Sequence, residues 1–574
     1  MSLKKIYLML IALIIFGSVF IPRIPHLLGD TLLIISILLL LMSYLFTTSR
    51  QGTPYTRATP FDMPILLLIL FVILSLVRSL NFYDSLRETF KLSAYVILFF
   101  LVIYDRNREK TAKVIIWTIL ATGLFVSLYG VYEQITVVKT FWFPRPAVFS
   151  TFPNPNHFGS YAVAGMTLAL GLLLFDSLKK KERIFLIIIA IVSSMGLYAS
   201  NSKGGLLSLL FSLFILALLK GRKSLKIYAG ILILLAAGLV FLISSPGKPI
   251  RPSGIMNDPY TYERISLWKE TVHYISDHPW LGTGIGTFGD YYPQYKSMAE
   301  MRSAEFAHNE FLNIWAETGL FGLLVCWWLV ILLFRHGFTL IKKTDRLPES
   351  LDIQPFQPPV ISKGMASGLL AASGGILAQG MVEFNLRTPG IAVACVSMAA
   401  VIISFSLADN KTEKCPLTED RKITVPVIAI TGFIFLTLLL LMPLVADHYA
   451  SQGDRFYREN NYMPAIVRYE QAVKFNPFFT PYHETLGDLY LVEGEILRDE
   501  NFIYGAYDQY NKCVVLYPRN VFYHLKLARF YVHYGAPGRA LKEYEEILKL
   551  APNVDAFRQE YELLGRQTEK SRKK

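Results

Sequence analysis

Residues 262–322 read YERISLWKETVHYISDHPWLGTGIGTFGDYYPQYKSMAEMRSAEFAHNEFLNIWAETGLFG. The first two thirds are polar, with Arg264, three histidines, clustered glycines and many aromatic rings. From Phe311 the chain turns apolar and stays so to Phe334. A run of that length crosses the roughly 30 Å of a bilayer core as a helix. The stretch is therefore a polar loop running into a membrane span, and the rest of the chain follows from that.

Outward from it, the 574 residues are 53% hydrophobic and only 18% charged, too little charge for a water-soluble protein of this size. Apolar runs recur near residues 6–21, 28–46, 63–80, 91–104, 114–135, 157–175, 184–200, 204–219, 226–244, 311–334, 364–384, 389–408 and 423–446. The fold class expected is all-α, a polytopic helical membrane protein with about 12–13 spans. Alternating segments of about 10 residues, the mark of a membrane β-barrel, are missing from the sequence. The start resembles a signal peptide, with Lys4 and Lys5 before an apolar run, but no small-residue cleavage site follows, so it reads as an uncleaved first span.

The net charge of +13 does not imply nucleic acid, because the basic residues sit in short loops between spans. Arg106, Arg108, Lys110 and Lys113 fall in one such loop, Lys179–Lys181 and Arg183 in another, and Arg335, Lys342, Lys343 and Arg346 in a third. The positive-inside rule then puts the N-terminus in the cytoplasm and the loop 246–310 outside. Thirteen spans put the C-terminus outside as well. The location implied is the cytoplasmic (inner) membrane. Cys326, Cys395, Cys415 and Cys513 are scattered and predict neither a disulfide framework nor a metal cluster.

Beyond Ala450 the composition becomes that of a soluble domain with an internal repeat. Ala465-Ile-Val-Arg-Tyr469, Ala506-Tyr-Asp-Gln-Tyr510 and Ala540-Leu-Lys-Glu-Tyr544 align, each with a proline twelve residues after its alanine. The periods are 41 and 34, the second being the tetratricopeptide period, and the seven extra residues fall around Leu491–Phe502. The organisation expected is a transmembrane unit over 1–448 and a repeat unit over 449–574. Such repeats either hold a partner segment or serve as a structural cap.

Several residues carry chemistry. His308 and Asn309 precede the span at Phe311, where a helix N-terminus favours a neutral imidazole able to take a proton from a hydroxyl; an interfacial polar residue is the plainer reading. Glu317 lies two turns inside the span, a costly place for a charge, and is positioned to orient His308 or hold Arg264, or else to make a packing hydrogen bond. Arg264 opens an amphipathic segment whose apolar face is Ile265, Trp268, Val272 and Ile275; it suits a phosphate, or an interfacial anchor. Gly284-Ile-Gly286-Thr-Phe-Gly289 matches the dinucleotide fingerprint only as a string, lacking the preceding strand, and reads as a tight turn with N–H groups free to face an anion. Lys203, in an outer turn, meets a phosphate or is a plain turn charge. Asn156 enters a span from outside in Phe152-Pro-Asn-Pro-Asn156-His157, just after Arg145, and suits a cavity lining. No Asp-x-Asp pair occurs, so no metal and no cofactor is expected.

As a set, these pieces resemble the O-antigen ligase and polymerase family of bacterial envelope proteins over roughly residues 60–410. The residues that carry the likeness are Asn154-Pro-Asn156, Ser202-Lys-Gly204, Arg264-Ile-Ser-Leu-Trp268, His278-Pro-Trp-Leu-Gly-Thr-Gly284, His308-Asn-Glu-Phe-Leu312 and Glu317-Thr-Gly319. The resemblance implies a metal-independent glycosyltransferase that takes a polyprenyl-diphosphate-linked glycan and passes it to a glycan, lipid or protein acceptor outside the membrane. It makes His308 the base and Arg264 the diphosphate ligand. It also places Lys203 where the family usually has arginine, a change that keeps the charge and loses the bidentate fork. Arg145, Asn156, Asn309 and Glu317 complete the expected substrate-binding set. Ligase, polymerase and protein O-oligosaccharyltransferase share this core. A lipid-linked glycan transporter and a non-catalytic envelope scaffold are the rivals from other classes.

Overall fold

The computed structural model describes residues 3–50, 58–139, 146–221, 259–297, 304–344, 361–407 and 419–572. The expected span 226–244 and Arg145 lie outside these described residues. Every described element is helical, and no strand occurs among them. The first eight helices are α1 (Leu3–Ser18), α2 (His26–Arg50), α3 (Asp62–Arg78), α4 (Phe82–Tyr104), α5 (Arg108–Glu133), α6 (Pro155–Phe175), α7 (Lys180–Ser200) and α8 (Lys203–Lys220). After them come α9 (Pro259–Asp277), α10 (Glu310–Thr344), α11 (Lys363–Gln379), α12 (Pro389–Ser406) and α13 (Glu419–Arg458). Eight described helices are long and apolar enough to cross a membrane, which makes this a multi-pass membrane protein.

Small residues set the closest packing. At the crossing of α6 and α11, a Cβ on Gly171 would lie 2.4 Å from Gly368 Cα, and between α5 and α6 Gly123 faces Gly165 in the same way at 3.2 Å. Apolar burial cannot drive helices together in lipid, so close backbone approach and van der Waals contact hold such a bundle. The last span is different. In α13, Val427, Ile428, Phe435, Leu438 and Met442 are exposed, an apolar surface suited to lipid.

Two boundaries differ from the sequence reading. The expected span 364–384 ends at Gln379, and residues 380–388 form a loop with a short 3₁₀ turn at Asn385–Arg387. The short span 91–104 is the second half of α4, whose start at Phe82 is capped by the side chain of Asn81.

Past the membrane, α13 runs on without a break to Arg458 and pairs with α14 (Tyr462–Phe475). Two more antiparallel pairs follow, α15 (Thr480–Leu497) with α16 (Glu500–Leu516) and α17 (Val521–His533) with α18 (Pro537–Leu550), and α19 (Asp555–Arg572) closes the stack. In the first two pairs a glycine on the leading helix receives a tyrosine ring from the following one. A Cβ would meet Tyr469 at 2.6 Å from Gly453 and Tyr510 at 2.7 Å from Gly487. Ala465, Ala506 and Ala540 are fully buried at matching positions. His483 and His524 also match: each donates from Nε2 to the carbonyl of a turn proline, Pro477 or Pro518, at 2.9 Å.

Candidate active site

Four helix N-termini, those of α6, α8, α10 and α12, open around the loop 380–388. Three of them, α6, α8 and α10, are capped by a local side chain. Asn154 Oδ1 accepts from Asn156 N, Ser202 Oγ accepts from Gly205 N, and Asn309 Oδ1 accepts from Phe311 N and Leu312 N. Thr388 is the α12 cap residue, and its hydroxyl meets His157 Nδ1 at 2.8 Å. The Glu310 N–H donates to Gly380 O at 2.7 Å, which ties the start of α10 to the loop.

Glu383 stands at the centre with its side chain 1% exposed. Its Oε1 lies 2.7 Å from His308 Nδ1, and its Oε2 accepts from an Arg264 terminal nitrogen at 2.8 Å and from Asn156 Nδ2 at 2.6 Å. Asn156 Oδ1 in turn accepts from Ser202 Oγ at 2.8 Å, one residue before the exposed Lys203. Burial pushes the Glu383 carboxyl up, but the His308 hydrogen bond and the Arg264 guanidinium outweigh it and hold the group below its ordinary value. It is therefore an anion. An anion at Nδ1 fixes the proton there and leaves His308 Nε2 as the lone-pair nitrogen. The ring is held from the side as well: Phe384 meets His308 edge-to-face at 4.8 Å and His157 at 5.0 Å, and Phe306 stacks on Phe384 at 4.7 Å. His308 has a φ of +47°, and the residue before it is pinned by Trp268 Nε1 donating to Ala307 O at 3.0 Å.

Sequence reading missed Glu383 because its hydropathy placed it at the tail of a span. Gly380 and Pro389, which bracket the loop, are the signals that mark it as a break. The role expected of Glu317 is corrected accordingly. Its carboxylate is 1% exposed and faces away from His308 and Arg264, pairing with Arg387 at 2.6 Å. Glu310 and Glu88 complete the surroundings of Arg387, at 3.9 and 4.0 Å, and Lys91 meets Glu88 at 2.5 Å. Burial weakens the Arg387 charge, yet the three carboxylates more than offset this and hold its pKa above the ordinary arginine value. This cluster clamps the far end of the loop that carries Glu383. Breaking such a buried pair by removing one partner costs about 3–5 kcal/mol.

Three other expectations change. The glycine turn does not present its leading N–H groups to an anion: Thr283 N donates to Ala316 O at 3.2 Å and Gly284 N to Glu317 O at 2.9 Å. Those carbonyls are freed because α10 breaks at Gly319, with φ +73°. The buried face of α9 is Leu267, Thr271, Tyr274 and Ile275, while Val272 is 54% exposed. The polar Glu270 is buried there because Tyr292 and Ser297 donate to it. Asn309 spends its side-chain oxygen on the helix cap, leaving its amide N–H groups for other contacts.

Residues 184–326 match the family model described as O-Antigen ligase. The match takes in Lys203, Arg264, His308 and Glu317, and leaves Asn156 and Glu383 outside it. No curated protein matches the chain.

Proposed function

We propose that this chain transfers a glycan from a polyprenyl-diphosphate carrier to an acceptor hydroxyl at the outer face of the cytoplasmic membrane. The observation that carries the reading is one carboxylate, Glu383, holding His308 and Arg264 side by side at a mouth ringed by helix N-termini. The pairing follows the general logic of an oriented base, with a carboxylate on one ring nitrogen and the reacting hydroxyl on the other. His308 Nε2 takes the acceptor proton as the acceptor oxygen bonds to the anomeric carbon. The bond from that carbon to the carrier diphosphate breaks, and its electron pair leaves with the diphosphate. The remaining N–H groups of Arg264, the Lys203 ammonium and the positive helix ends favour that departing charge. The diphosphate is already a good leaving group, so positioning and charge supply most of the rate.

The C-terminal helical pairs, read as tetratricopeptide-like, form the second unit (449–574) beside the transmembrane unit (1–448). Their contacts with the segment 290–296 support a reading in which the two lie on the same side of the membrane. The basic loops favour the outside for both.

The test is transfer from a lipid-linked oligosaccharide by the full chain in lipid vesicles. His308→Ala should lower turnover by about 10²–10⁴-fold, the range for a lost general base. Full turnover in that variant would remove His308 from the mechanism. In cells lacking the gene, loss of long surface chains with single units still attached assigns polymerisation. Full-length chains stranded on the carrier assign transfer to lipid or protein.

A further inference from the structure

The same place in each helical pair, the turn at its proline, touches the membrane unit. In the first turn Asn476 Nδ2 donates to Tyr83 OH at 3.3 Å, and Phe478 and Phe479 pack on Phe82 and Tyr83 with ring centroids 5.8 and 5.3 Å apart. In the second, Tyr517 OH donates to Asp290 Oδ1, and Arg519 donates to Gln294 Oε1 at 2.6 Å while its guanidinium lies 3.9 Å over the Tyr291 ring. In the third, Asn553 Nδ2 donates to Lys296 O at 2.6 Å. The stack thus stands on one edge, and two of its three turns rest on residues 290–296.

That segment is packed against the parts that carry the site. Tyr291 and Tyr295 stack on Tyr274 of α9, the helix that bears Arg264, at 5.9 and 5.2 Å. Tyr292 donates to Glu270 on the same helix. Gly289 lies against the backbone of Glu305, where a Cβ would come within 3.4 Å of Glu305 Cα. Ala307, next to His308, is fully buried in the same aromatic cluster. Stacked rings, hydrogen bonds and the backbone of α9 therefore link Arg519 to the two elements that carry Arg264 and His308.

We infer that the proline-turn edge is an intramolecular docking surface, with Tyr517 and Arg519 as positioning residues that hold α9 and residues 304–308 in register with Glu383. The inference rests on the transfer reading above for its kinetic half. It also assigns the edge a task distinct from partner recruitment.

The test uses the full chain in nanodiscs. The double variant Tyr517→Phe/Arg519→Ala should raise hydrogen exchange over 288–297 and lower kcat about ten- to hundredfold, the scale of an ångström-level misplacement. A second variant, Gln294→Cys/Arg519→Cys, is joined by a cleavable bis-maleimide. Turnover should return on cross-linking and fall again when the linker is cut, a reversal that misfolding does not give. Raised exchange with unchanged kcat, or no recovery on cross-linking, overturns the inference, as does unchanged exchange in the double variant. If the wild type itself transfers no glycan, the transfer reading has failed. Exchange over 259–277 and 304–308 in the double variant then decides the docking by itself, with unchanged protection there overturning it.

Discussion

At Glu383, one oxygen serves the imidazole and the other serves a guanidinium and an amide. Charge and shape can be separated there. Glu383→Gln keeps the volume, removes the anion and leaves Arg264 facing a neutral group. Turnover should fall about 10²–10⁴-fold in the vesicle assay with the chain still folded, comparable to losing the base. Glu383→Asp keeps the charge and shortens the reach, and should retain more activity than Gln. Equal rates for wild type and Gln would demote the carboxylate to a packing residue. His308, Arg264 and Lys203 were legible as motif members, whereas Glu383 was not. A carboxylate in Gly380-Met-Val-Glu383-Phe has apolar neighbours and sits 75 positions from its histidine, so only the fold reveals its partner. Glu317 misled for the converse reason: it lies near His308 in sequence, but its helix turns it towards Arg387.

Among the elements, α10 shows how a break can be structural. Gly319 adopts φ +73°, and a Cβ there would come 2.1 Å from Trp280 O. Leu320 N beyond the break donates to Pro279 O at 2.8 Å, and Thr283 and Gly284 donate back to the carbonyls before it. The glycine turn and the helix break thus complete each other's hydrogen bonds. Gly319→Ala should incur both the strain of a backbone conformation (φ +73°, ψ −176°) that is essentially confined to glycine, about 1–3 kcal/mol, and the clash. The measurable result is a lower thermal midpoint of the membrane unit and reduced transfer, while Gly432→Ala, a site with open space around it, should change neither. Glycine spacing marked a turn here, but not its purpose, because the carbonyls it satisfies belong to a kink invisible to periodicity. The α9 face was misphased for a related reason. Buried Glu270 and Thr271 look polar in sequence, but Thr271 bonds back to Leu267 O on its own helix and Glu270 finds Tyr292 and Ser297 in the loop beyond.

On the scale of the whole molecule, the helical spans were legible because hydropathy is a local property, and the aligned alanines fall at matching buried positions of the C-terminal helix pairs. The docking of the two units was not legible, since Asp290 and Tyr517 are 227 positions apart. The units are nonetheless held by different physics, small-residue packing in the bundle and aromatic hairpins in the stack, so unfolding should proceed in two steps. His524 makes the second unit pH-sensitive. Burial lowers its pKa, but hydrogen bonds to Glu543 and to Pro518 O outweigh this and raise it above the ordinary value. Because the raised pKa belongs to the folded state, the stabilisation is fully present below the unfolded histidine value of about 6.5 and is lost as pH climbs through the folded one. The midpoint of the C-terminal step should therefore fall as pH is raised from 6 through 8 in calorimetry, and His524→Gln should flatten that dependence.

The unbroken passage of α13 into the stack has a geometric consequence of its own. A helix advances about 1.5 Å and turns about 100° per residue. The number of residues between the bilayer surface and the first hairpin therefore fixes the compass bearing of the stack as well as its height. One residue added to that stalk would swing Tyr517 and Arg519 about a quarter turn away from residues 290–296. Seven would nearly restore the bearing yet lift the edge by about 10 Å. The stalk behaves as a keyed shaft, and its length is part of the address by which the two units meet.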